Sequence, residues 1–172
     1  MQPSFDLRLR SVEKALTETI LPAIDPAQSA AVEQLHLVIG SLRVLRDQSD
    51  YAHWFEVVEA REMGALAREL IDRLPADADE VGGARDVIRA ADECAARFDR
   101  PLSALREANR ALRDALAALI RAALADPSAN GKLRAQILAH SERQIARERA
   151  FVAATGFDCY PDTLRGIEEA LR

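Results

Sequence analysis

Residues 33–62 read EQLHLVIGSLRVLRDQSDYAHWFEVVEARE. Whether this stretch is one helix or two decides the fold. Apolar residues recur at helical spacing on both sides of its middle, as Val32, Leu35, Ile39 and Leu42 before it and Phe55, Met63, Leu66, Leu70 and Leu74 after it. A single helix carrying both sets would be too long for a compact domain. A tight turn or kink is therefore expected near residues 47–52, with Ser49-Asp50 as its centre. Two long helices joined so closely favour neighbours that run in opposite directions.

Outside this stretch, Pro and Gly punctuate further helical periods. A first helix is expected from about Phe5 to Leu21, with Ser4 as N-cap and Phe5, Leu9, Val12, Leu16 and Ile20 as its stripe. Asp25-Pro26 reads as the start of the next one. After the stop at Pro75, a fourth helix is expected over residues 80–98, with Gly82-Gly83 near its start, and a fifth over 102–125 along Leu105, Leu112, Leu116, Leu119 and Ala123. Asp126-Pro127 closes the fifth. A sixth spans 131–155 with Leu133, Ile137, Ile145, Phe151 and Val152, and Gly156 stands at its C′ position with Phe157 folding back over the last turn. A short helix over 162–171 follows Tyr160-Pro161. The expected fold is all-α, an up-and-down antiparallel bundle of four to six helices, in one domain covering residues 1–172.

Composition agrees with helix chemistry and removes several functional classes. Of 172 residues, 49% are hydrophobic but only 5% aromatic, and Ala, Leu, Arg and Glu dominate. The net charge of −5, with acids alternating with Arg along the helices, disfavours nucleic acid as a partner. No apolar run reaches the roughly 20 residues needed to cross a bilayer, and MQPSFDLRLRS lacks the apolar stretch of a signal peptide. A cytoplasmic protein without membrane contact is expected. Cys94 and Cys159 belong to no ligand spacing and read as reduced structural thiols.

Motifs of catalysis fare poorly. Glu33-x-x-His36 sets two metal-ligand types one turn apart on one helix face, as di-iron carboxylate bundles do on two helices. Here the second instance, His53-x-x-Glu56, runs in reverse, and the positions three residues from His140 are Ile137 and Arg143. Neither a complete ligand shell nor a bound metal or cofactor is expected, and Glu33 and His36 are read first as a surface pair. Ser141 adjoins His140, but consecutive helical residues point about 100° apart and cannot form a dyad. Gly82-Gly83 and Ala129-Asn130-Gly131 fit turns and helix starts rather than phosphate loops.

More informative are the polar residues lying on apolar stripes. Glu59 falls within about 40° of Phe55 and Leu66 on the helical wheel, Asn109 lies on the line from Leu105 to Leu112, and His140, Gln144 and Glu148 fall near the core line of the sixth helix. They form either a buried hydrogen-bond network or the walls of a small-molecule pocket. On the former reading, Glu59→Met is expected to be tolerated. Tyr51 and Trp54 share a face at the start of the third helix and are the candidate interface.

Three stretches, PSFDLRLRSVEKALTETILPAIDP, EQLHLVIGSLRVL and ERQIARERAFVAATGFD, cover about a third of the chain and resemble a bacterial family of small all-helical proteins with no assigned reaction. Genes of that family tend to lie beside aminoglycoside-phosphotransferase-like and acyl-CoA dehydrogenase genes. The resemblance implies an accessory role in acyl or small-molecule metabolism, with no catalytic residue to carry over. The combined expectation is a non-catalytic helical interaction or accessory protein that forms a homo-oligomer or binds a protein partner. The alternative is a small-molecule or metal-binding bundle that uses the inward polar cluster.

Overall fold

The computed structural model describes residues 4–76, 78–125 and 131–172; all the regular structure among them is helical. The decisive stretch is broken where its sequence allows. Helix α3, Ser29–Ser49, ends as the Ser49 hydroxyl turns back onto the Arg46 carbonyl at 2.8 Å, and α4, Ala52–Ile71, begins three residues later. The chain divides into two compact units, Met1–Tyr51 with Glu148–Ala170 and Ala52–Arg147 with Leu171–Arg172.

The larger unit holds α4, α5 (Asp79–Ala95), α6 (Leu102–Ala125) and most of α7 (Gly131–Phe151). In α6 the buried residues Leu105, Asn109, Leu112, Leu116, Leu119 and Ala123 alternate in steps of four and three. That is the seam of a helix meeting its neighbours knobs-into-holes. α4 presents Glu59, Met63, Leu66 and Leu70 in the same steps, and α5 presents Val81, Ala84, Ile88 and Ala91. The apolar members from Met63 on α4, from Val81 on α5 and from Leu112 on α6 form one cluster with Leu133 of α7, in which Leu70, Ala91, Leu112 and Leu119 are wholly buried. Each fully buried leucine contributes roughly 1.5–3 kcal/mol relative to exposure.

The smaller unit is built differently. Ser4 caps α1, Phe5–Ala15, by accepting the Leu7 amide at 3.2 Å as expected. The chain then widens into a π-helical turn, Leu16–Ile20, and a last turn, α2, Leu21–Ala23. The amide of Leu21 reaches back five residues to Leu16, just before Pro22, which has no amide to donate. Asp25-Pro26 does not open a helix, because the Asp25 carboxylate accepts the Ala27 amide at 2.9 Å and closes a separate turn; α3 starts at Ser29. The α1 stripe is also less covered than its pattern suggests. Phe5, Val12 and Ile20 are exposed and α1 buries no residue. Glu13 helps tie α1 to α3, accepting Arg43 at 2.6 Å and Arg46 at 2.8 Å; the Arg43 hydrogen bond leads in holding its carboxyl below the usual range.

α7 ends at Phe151 rather than near 155, and a 3₁₀ turn, Ala153–Thr155, leads to Gly156 at φ +72°, the left-handed conformation expected of it. Phe157 does not fold back over the helix but stands 77% exposed. A second 3₁₀ turn, Pro161–Thr163, and α8, Ile167–Ala170, replace the single terminal helix expected there. The expected stop at Asp126-Pro127 and the Ala129-Asn130 turn lie outside the described residues.

Arg149 clamps this terminal arm with two 2.8 Å hydrogen bonds to Asp158 and one of 2.9 Å to Thr163. The Arg149 bonds, followed by the Tyr160 amide, pull the Asp158 carboxyl down to about 2. An acid whose folded pKa lies below its unfolded value stabilises the fold above the unfolded value and loses that contribution as pH falls through the folded one. Proteolytic resistance of residues 152–166 is therefore expected to persist down to about pH 4 and fall towards pH 2, and Asp158→Asn should abolish this step. An unchanged acid profile in the variant would refute the clamp.

Candidate functional site

The polar residues on the α4 and α6 seams, Glu59 and Asn109, are buried at 0% and 2% exposure, as the spacing predicts. Their partners come from three helices. Asn109 donates from Nδ2 to the Glu56 carbonyl and to Glu56 Oε2, both at 2.8 Å, and Arg106 donates to the other carboxylate oxygen of Glu56 at 3.1 Å. Glu59 receives Arg147 of α7, whose Nε and Nη2 lie 2.9 and 2.7 Å from Oε1, and Arg113 of α6 stands 3.7 Å from Oε2.

Arg147 is 5% exposed and was not among the expected site residues. Its place follows from the α7 seam, which runs Leu133, Ile137, His140, Gln144, Arg147 and Phe151 in steps of four and three. The expected stripe drifted off this line, and Ile145 and Val152 are exposed. α7 thus faces its neighbours with an apolar first half and a polar second half. Arg143 donates to Glu62 at 2.9 Å, Gln136 to Glu69 at 3.0 Å, and Arg73 to Gln136 at 3.1 Å. From Glu59 to Glu69, the partners on α7 descend as the residues on α4 rise.

His140 stands in the middle of this ladder, 4% exposed, with neither ring nitrogen meeting a hydrogen-bond partner among the described residues. Burial pushes its pKa below the ordinary imidazole range; Glu62 works against that shift, and Arg143 and Arg147 add to it. The ring borders a cleft of about 180 Å³ with Glu62, Glu69, Gln136 and Arg143. Gln144 is half-buried, whereas Glu148 is exposed and does not belong to the buried set.

The other candidates are placed as follows. Glu33 and His36 are exposed on α3, and His53 stacks on Phe98 with ring centroids 5.5 Å apart. Among the described residues no three His, Cys, Asp or Glu side chains converge to hold a metal ion. Tyr51 falls in the turn before α4 rather than on it, and both Tyr51 and Trp54 are half-buried. No described helix is long and apolar enough to cross a membrane. A groove of about 420 Å³ runs along α3 between Leu37, Val44, Leu45 and Phe157, over the bare backbone of Gly40. No family model matches the chain, and neither a curated protein nor a solved structure does.

Arginines occupy the Glu59 carboxylate, and the Asn109 amide is held against backbone.

Proposed function

We propose that this chain is a non-catalytic helical interaction protein that associates with a second copy of itself through the Met1–Tyr51 and Glu148–Ala170 unit. The observation that carries this reading is the partly uncovered stripe of α1 and the π-helical turn after it. Phe5, Val12 and Ile20 are exposed while Leu9 and Leu16 are half-buried, α1 buries no residue fully, and Leu37, Val38 and Leu45 of α3 are also about half exposed. Scattered exposed apolar residues are ordinary, whereas a continuous apolar helical face is characteristic of a surface used for contact. On this reading α4–α7 form an up-and-down antiparallel scaffold, which the opposed running of the α4 and α7 partners supports. On this reading the chain plays an accessory role in the cytoplasm of a bacterium, alongside enzymes of acyl or small-molecule metabolism.

Sedimentation velocity tests this directly. The wild-type chain should sediment as an oligomer at tens of micromolar, and Val12→Glu with Ile20→Glu should sediment as a monomer with an unchanged helical circular dichroism spectrum. A wild-type monomer at high concentration would end the proposal. The α3 groove favours a second reading, a small apolar ligand, since its volume lies in the range of ligand pockets, roughly 300–1,000 Å³. Filling it with Gly40→Phe would then abolish binding of an apolar dye without changing the oligomeric state.

A further inference from the structure

α7 is held to its unit by an unusual mixture of contacts. Between Gly131 and Arg147 the fully buried apolar side chain among the described residues is Leu133, with Ile137 half-buried, and beside them stand the polar pairs to Glu59, Glu62 and Glu69. His140 sits where the apolar part of the seam ends and the charged part begins. A neutral imidazole can rest there at the cost of its unmet hydrogen bonds. An imidazolium cannot, because it carries two donors and a charge that must be solvated or paired.

We propose that His140 is a proton-operated latch: proton uptake at its ring unseats the Gln136–Arg147 stretch of α7 from α4 while α4, α5 and α6 stay packed together.

The charges around the ring explain why the proton has no ready home. On its own helix Arg143 and Arg147 repel it. On α4, Glu62 is the carboxylate whose charge favours protonation, but it holds Arg143; Glu69 holds Gln136; Glu59 holds Arg147, with Arg113 of α6 approaching its other oxygen. A protonated His140 must therefore share Glu62 with Arg143, which holds one of its two oxygens, or reach water, and from its present seat the ring meets neither, so it has to move. Lifting α7 exposes little apolar surface beyond Leu133 and Ile137, whereas separating α4 from α6 would open the wholly buried Leu70, Leu112 and Leu119. The weaker contact yields first. Because burial holds the folded pKa below the unfolded value of about 6.5, the folded chain binds the proton less readily than the open one. The closed state is then fully favoured above about pH 6.5 and loses ground as pH falls below it.

Hydrogen exchange on the full chain, compared at about pH 7.5 and about pH 5.5 and corrected for intrinsic exchange rates, reads this out segment by segment. Protection of residues 133–147 should fall severalfold at the lower pH, up to the limit of about tenfold that one pH unit below the unfolded value sets, with α5 and α6 unchanged. His140→Leu should keep α7 protected at both pH values. Should that variant fail to fold, an NMR titration of the wild-type chain decides the matter: the His140 ring resonance and the α7 amides must move with one midpoint. Equal loss in α5, α6 and α7, an equal loss in His140→Leu, or α7 amides that ignore the ring's titration would each overturn the latch.

Discussion

Arg147→Ala should lower the stability of the Ala52–Arg147 unit by roughly 3–5 kcal/mol, because it leaves the Glu59 carboxylate buried without its main partner. Glu59 is fully buried and accepts two Arg147 donors on one oxygen; Arg113, at 3.7 Å from the other and half exposed, cannot replace them. The same logic reverses the expectation for Glu59→Met. Read without its partner, the glutamate looks replaceable, but the single exchange would strand the Arg147 guanidinium at 5% exposure. The double variant Glu59→Met with Arg147→Met should instead be neutral or more stable, since apolar packing often matches a buried ion pair. Denaturant midpoints of the four proteins form a double-mutant cycle. Additive single effects would show that the pair is not coupled as the geometry requires.

Leu119→Ala, at the centre of the α6 seam and wholly buried among α4 and α5, should cost roughly 2–5 kcal/mol through lost burial and a residual cavity. Leu37→Ala, on the 44% exposed face of α3, should cost no more than roughly 0.5 kcal/mol in the isolated chain. Urea titrations followed by circular dichroism measure both. Similar losses at the two positions would mean that the α3 face is covered in solution, which would itself support association there.

How much of this was legible in the sequence differs from helix to helix. The α6 seam could be read residue by residue, because leucines in steps of four and three leave few alternatives, whereas Ser49-Asp50 left a turn and a kink equally open and the structure breaks the chain into α3 and α4 there. Glu59, Asn109 and His140 are buried where each falls on a line drawn by apolar neighbours. On α7 the line itself is polar. Following hydrophobicity alone led to Ile145 and Val152, whereas extending the same steps past His140 and Gln144 lands on Arg147. The partner of Glu59 was therefore hidden in a residue type that usually marks surface. On α1 the failure was of the opposite kind: the pattern was right, but an amphipathic stripe says only which face is apolar, not that anything within the chain covers it.

The ladder between α4 and α7 has one more consequence, which concerns alignment. Acids stand at Glu56, Glu59 and Glu62 on α4, and bases at His140, Arg143 and Arg147 on α7. Sliding α7 one turn, about 5.4 Å, along α4 would set Arg147 against Glu56, Arg143 against Glu59 and His140 against Glu62. Charge matching therefore scores the true alignment and its neighbour almost alike. The slip would draw Leu133 out of the cluster it shares with Leu70 and Ile71 and lay it against Glu69. Electrostatic attraction can bring the two helices together in either position, and Leu133 with Ile137 does the proofreading.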